Sequence, residues 1–263
     1  MIENPAIVTA LFDIGRDRWS NYGLSYYTYM MWMRNLLLFD SKMVIYTEEK
    51  FEGFIKEQRT TVDPNLEKTI IIIGKIENLD SYKMFHEKVF NLMRSENFKS
   101  KIHFKVPEMT QALYNIVIFN KPYFIKNSIE NKHFDSDMFI WCDAGVLRND
   151  NPEIKRGFPN VEKINQKYND KITFFSHHEE FSVPDRPFHL LSQFRYIHGG
   201  CFFVPNNGVI YSFIKHFITL IQNHLDLEFV GSEEKYLDFC YLDNKENYNI
   251  IKSDWRQYFD IFK

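Results

Sequence analysis

Cysteine is scarce: the 263 residues hold three, Cys142, Cys201 and Cys240, each in apolar surroundings. An odd count without paired spacing argues against a disulfide framework and against a structural zinc site. Long hydrophobic runs are missing too. No window approaches the roughly 18 uncharged apolar residues that a membrane-spanning helix needs. The opening stretch MIENPAIVTALFDIG has no basic leader, and Asp13 and Arg16 break its apolar run, so it reads as a first strand rather than a signal peptide. A soluble, reducing, cytoplasmic setting is therefore expected, with peripheral membrane contact left open. An excess of positive charge is also absent. A formal net charge of -3 offers no surface for a polyanion, so nucleic acid is not an expected partner.

The sharper catalytic signatures are missing as well. There is no P-loop, no Gly-x-Gly-x-x-Gly after the first strand, no His-Glu-x-x-His and no Gly-x-Ser-x-Gly elbow. A nicotinamide dehydrogenase, a P-loop kinase, a zinc hydrolase and an esterase each lose their usual support. His177, His178 and His189 lie among charged and proline-rich loop residues without a third ligand at recognisable spacing, so they do not predict a metal centre.

What is present is ordinary in bulk and unusual in detail. Hydrophobic residues make up 44% and charged residues 25%, the balance of a globular protein. Twenty-six Phe and 15 Tyr predict a core packed with rings. Short apolar or β-branched blocks at 6–14, 42–49, 69–76, 137–143 and 171–177 read as strands, and 199–208 as a glycine-entered strand or a hairpin. Helical spacing runs through 22–38, 50–59, 80–95 and 209–229, and Ser232-Glu233-Glu234 reads as a helix start. Residues 160–169 read as a short helix or an irregular segment. Thr110 is a candidate cap for a helix after Pro107, and Pro122 should either break that helix or begin a second one. Strands alternating with helices predict one α/β domain over 1–263, with a mostly parallel central sheet and helices on both faces.

In such sheets ligands bind at the carboxyl ends of the strands. Three strands end there in acid: Asp13, Glu48 with Glu49, and Asp143. Asp143 stands out because Gly145 follows it, which allows a tight turn or the close approach of a ligand. A carboxylate in that position suits Mg2+ or Mn2+, whose preferred ligands are hard oxygens. Asp135 and Asp137 precede their strand and belong to the opposite edge.

The blocks VTALFDIGR, YNIVIFNKPYFIKNSI, DMFIWCDAGVLR, HGGCFFVPNN and SEEKYLDFCYL run in order over nearly the whole chain. Together they resemble the HtrL/YibB family, which occurs in bacterial surface-polysaccharide gene clusters and some large viruses. The family is commonly regarded as GT-A-like glycosyltransferases. The resemblance implies a GT-A-like domain that transfers a sugar from a nucleoside-diphosphate donor to a hydroxyl acceptor, as in glycan or surface-polysaccharide synthesis. It also implies Mn2+ or Mg2+ at Asp143, in a degenerate Asp-x-Asp whose second carboxylate is replaced by Gly145. Thr9, Asp13, Arg16, Lys121, Gly199 and Gly200 form the expected donor-binding set. Glu234 is the expected acceptor base, with Asp185 or Asp13 as substitutes, and helical periodicity puts Glu234 nearer the packed side than Glu233. The rival readings are a nucleotidyltransferase on the same rim and a non-catalytic nucleotide- or carbohydrate-binding protein.

Overall fold

Branched and aromatic residues concentrated in short blocks build one sheet, and amphipathic segments cover it on both sides. The computed structural model describes residues 4–149, 158–167, 170–254 and 259. The seven strands are β1 (Ala6–Leu11), β2 (Lys42–Thr47), β3 (Thr69–Ile73), β4 (Met138–Cys142), β5 (Ile172–Ser176), β6 (Ile197–Pro205) and β7 (Tyr248–Lys252). Their order is β3-β2-β1-β4-β6-β5-β7. All pairings are parallel except the two made by β6, which runs antiparallel to β4 and β5. That single reversal decides where the site lies. The carboxyl ends of β1, β4, β5 and β7 share one rim with the amino end of β6, so Asp143, His177, Asp254 and the pair Gly199-Gly200 gather there.

The helices are α1 (Tyr26–Leu37), α2 (Glu49–Thr60), α3 (Asp80–Arg94), α4 (Glu96–Lys101), α5 (Pro107–Thr110), α6 (Ala112–Phe119), α7 (Lys121–Glu130), α8 (Val161–Lys167), α9 (Arg186–Leu191), α10 (Val209–Asp226) and α11 (Glu233–Asp243). Strand side chains alternate between two cores. Val8, Phe139, Trp141, Phe174 and Phe202 face α3, α6, α7, α10 and α11. Ile7, Met43, Ile140, Cys142 and Phe203 face α1, α2 and α8. Each fully buried Phe is worth about 2–3 kcal/mol by apolar transfer, and rings such as Phe124 and Trp141 stack with centroids 5.7 Å apart. All three cysteines are free and buried. No helix of the described residues is long and apolar enough to cross a membrane.

Several expectations need correction. The first helix starts at Tyr26 rather than Tyr22, because the Ser25 hydroxyl caps it by accepting from the Thr28 N–H at 3.2 Å. Tyr22 has φ 60 and is exposed, in a turn with Gly23. Thr110 caps nothing; its hydroxyl donates to Val106 O at 3.1 Å. Pro122 begins a second helix, as one of the two expected outcomes required, since the first turn needs no N–H from it. The edge strand β7 and the short helices α4, α5 and α9 were not expected.

Candidate functional site

The break between α6 and α7 is what delivers Lys121 to the rim. Asn120 is pinned there by Ser81, whose N–H and hydroxyl both donate to Asn120 Oδ1 at 3.1 Å. Lys121 is 4% exposed, and its Nζ makes three contacts. It reaches Asp143 Oδ1 at 2.8 Å, Gly199 O at 3.0 Å and Glu233 Oε1 at 2.5 Å. An ammonium has three N–H donors, so this one is saturated. It ties together the end of β4, the start of β6 and the start of α11.

Asp143 is also held by its own strand, with Trp141 Nε1 donating to the same Oδ1 at 2.7 Å. Its side chain keeps 37% exposure toward the cleft. Glu233 is 5% exposed, and Glu234 lies beside it on the open side. The expected order of these two is therefore reversed: Glu233 is the packed residue, and it is drawn inward by Lys121. Glu234 accepts from the Gly199 N–H at 3.1 Å and from Arg195 at 3.0 Å. Gly199 has no room for a side chain. A Cβ there would stand 2.4 Å from Glu233 Oε1 and 3.0 Å from Glu234 Cγ. Ser232 takes the capping position of α11, yet its hydroxyl makes no capping bond.

The electrostatics follow from burial and crowding. Burial alone would drive the proton off Lys121, but Asp143 and Glu233 outweigh it and hold the pKa above that of a free lysine. Burial lifts the Glu233 carboxyl to about 7, with Lys121 opposing and Glu234 and Asp143 reinforcing the rise. Three carboxylates share the two cations Lys121 and Arg195, and Glu233 is the most buried of the three. Burial, aided by His177, pushes His198 down to about 4. Neutral His198 then donates from Nε2 to Ser253 O at 3.2 Å, because a carbonyl can only accept.

These groups face a cleft of about 590 Å3, within the usual range for small-molecule sites. Arg16, Lys121, Asp143, Gly200 and Glu234 of the expected set line it. Gly199 stands behind the wall as a backbone partner of Lys121 and Glu234. Thr9 is fully buried mid-strand, its hydroxyl without a hydrogen-bond partner. Asp13 is turned into its own loop, where it accepts from the Gly15 N–H at 2.8 Å and pairs with Lys50. Asp185 caps α9 through the Phe188 N–H at 2.9 Å. His189 is buried against Asp238 at 2.8 Å. Sequence reasoning did not single out Tyr29, Trp32, Arg148, Arg195 or Asp254 as lining residues. Arg148 lay within a resembled block; the others carried no local signal of their own.

The surroundings of Asp143 match a divalent cation poorly. Mg2+ and Mn2+ take hard oxygens in octahedral array, commonly one or two free carboxylates together with waters and substrate phosphates. Asp143 already faces an ammonium, Glu233 is spent on the same ammonium, and Glu234 is held by Arg195 and Gly199. A second strand-end carboxylate at Gly145 would be tight, because its Cβ would meet Tyr29 at 3.0 Å and Trp32 at 3.2 Å and the rings would have to give way. Among the described residues no group of three or more His, Cys, Asp or Glu is placed to hold a metal.

A family model described as "Bacterial protein of unknown function (HtrL_YibB)" matches residues 3–263. The chain belongs to the HtrL_YibB family. Protein HtrL of Escherichia coli (strain K12) is 22% identical over 280 residues, covering 100% of this chain and 93% of that protein. Among solved structures, the fold is similar to that of the galactosyltransferase LgtC in complex with donor and acceptor sugar analogues. The identity is 9% and the TM-score 0.45, over 93% of this chain and 72% of that one. It is also similar to the glycosyltransferase GlyE of Streptococcus pneumoniae TIGR4, with 10% identity and a TM-score of 0.44, over 95% of this chain and 45% of that one. A third is 4-diphosphocytidyl-2C-methyl-D-erythritol synthase from Anaerococcus prevotii DSM 20548, with 12% identity and a TM-score of 0.41, over 98% and 93%. All these TM-scores lie below 0.5, so the residues of the cleft must carry the functional reading.

Proposed function

We propose that the chain is a GT-A-like transferase that moves a sugar from a nucleoside-diphosphate donor to an acceptor hydroxyl. The observation that carries this reading is the joint placement of Asp143 and Glu234 on one cleft. Asp143 offers a held carboxylate edge, and Glu234 stands beside it on the open side of α11. Asp143, fixed by Trp141 and Lys121, suits hydrogen bonding to hydroxyls of the donor. Glu234, backed by the Gly199 N–H and Arg195, suits the acceptor hydroxyl and takes its proton. The acceptor oxygen bonds to the anomeric carbon as the bond from that carbon to the diphosphate oxygen breaks, releasing the nucleoside diphosphate. Tyr26, Tyr29 and Trp32 supply aromatic wall for a base or a sugar ring.

Incubation with a panel of nucleotide sugars and simple hydroxyl acceptors tests the reading, with products separated by ion-exchange chromatography. Release of a nucleoside diphosphate supports it. Release of pyrophosphate from nucleoside triphosphates would favour a nucleotidyltransferase instead. Saturable nucleotide binding without either product would point to a binding protein.

A further inference from the structure

One wall of the cleft is a ladder of two adjoining rings with a cation at each end. The guanidinium of Arg16 lies 5.0 Å from the centroid of Tyr29, and Arg16 also donates to the Tyr29 hydroxyl. Tyr29 and Trp32 are neighbours on α1, with ring centroids 5.6 Å apart. The guanidinium of Arg148 lies 4.7 Å over Trp32. All four residues line the cleft. The ladder is braced at both ends. Arg16 Nε donates to Tyr22 O at 3.2 Å, and Asn35 of α1 donates to Leu147 O at 3.1 Å, next to Arg148 in the chain.

The chemistry of this wall differs from that of a metal seat. A guanidinium held against a ring is oriented before a ligand arrives, and its planar charge matches phosphate oxygens, although Arg16 already uses Nε and Nη1 within the wall. Two guanidinium groups on one wall give this side of the cleft the positive charge that a diphosphate needs. The same rings crowd the space at Gly145 that a second carboxylate would need. Across the cleft, Lys121 already neutralises Asp143. A dication placed at Asp143 would sit next to an ammonium and find one available carboxylate.

We infer that Arg16 and Arg148, mounted on Tyr29 and Trp32, bind the diphosphate of the ligand directly, with no divalent cation between it and Asp143. The nucleotide part of this statement rests on the donor reading above; the anion site itself does not. The wall neutralises a diphosphate whether it arrives as part of a donor or leaves as product.

The test is calorimetric titration of the full chain with inorganic pyrophosphate and with UDP, GDP, CDP and ADP, once in EDTA and once in MnCl2. Pyrophosphate and at least one nucleoside diphosphate should bind in EDTA, within about threefold of their affinity in Mn2+. Arg148→Ala, a change at an exposed side chain, should weaken both by about tenfold or more, the scale of one charge-assisted contact. Arg148→Lys should recover only part of the loss, because it keeps the charge and loses the fork. Asp143→Asn should leave pyrophosphate binding intact. Binding that appears only with Mn2+, or that disappears in Asp143→Asn while surviving Arg148→Ala, would overturn the inference. Pyrophosphate binding in EDTA that depends on Arg148, with every nucleotide silent, would keep the anion wall and remove the donor reading. Failure of every probe would remove both.

Discussion

Lys121 Nζ stands 2.8 Å from Asp143 Oδ1, although 22 residues and a full helix separate the two in the chain. The same ammonium meets Glu233, 112 residues further on. One side chain thus sets the relative positions of β4, β6 and α11 at the mouth of the cleft. Local stability and site geometry hang on the same atom.

Removing that atom leaves two carboxylates facing each other with no cation between them. Lys121→Met keeps most of the stem's packing and should lower the unfolding free energy by about 3–5 kcal/mol, the cost of breaking a buried pair from one side. Lys121→Met combined with Glu233→Gln should recover a substantial part of that loss, since a neutral amide replaces the stranded charge. Urea denaturation of both variants measures this. A double variant as unstable as the single one would show that Lys121 acts through packing alone.

Gly199→Ala probes the same junction sterically. Its Cβ would overlap Glu233 Oε1, an oxygen already held by Lys121, so the glutamate cannot simply swing away. A destabilisation of about 1–3 kcal/mol is expected, as for overpacking elsewhere in protein cores. Thermal melting reads it, and an unchanged melting temperature would mean that α11 shifts freely.

The strands and the long helices were legible because each carries its own apolar period. Less was legible where the signal depended on distant partners. β7 is an edge strand with mixed burial, and its sequence YNIIK interrupts the apolar run with Asn249. Helical periodicity ranked Glu234 as the inner residue; the structure buries Glu233, because its cation comes from α7. Asp143 and Lys121 could be singled out one at a time, but no spacing in the chain announces that they touch. Tyr29 reads as part of a helix's apolar stripe and Trp32 was not singled out, yet the two rings meet Arg16 and Arg148.

The raised pKa of Glu233 makes a signed prediction for stability against pH. Its carboxyl titrates near 7 in the folded protein and from 4.5 when unperturbed. The folded state therefore binds more protons across that window. The contribution is fully present below the unfolded pKa and is lost as pH rises through about 7. Glu233→Gln removes the titration. Relative to wild type, the variant should gain stability steadily from about pH 5 to pH 8 and stay level below pH 4. Denaturation curves across this range check the slope, and a constant offset between the two proteins would contradict the assignment.

Sugar transfer in this cleft, with Glu234 at the acceptor hydroxyl, is tested by the rate of nucleoside diphosphate release from a panel of nucleotide sugars by wild type and by Glu234→Gln. Wild type should release the diphosphate only in the presence of an acceptor. In Glu234→Gln that release should fall by about a hundredfold or more, the scale of a lost general base, with nucleotide affinity retained. Equal release by the two proteins would remove Glu234 from the chemistry, and no release from any donor would contradict the transferase reading itself.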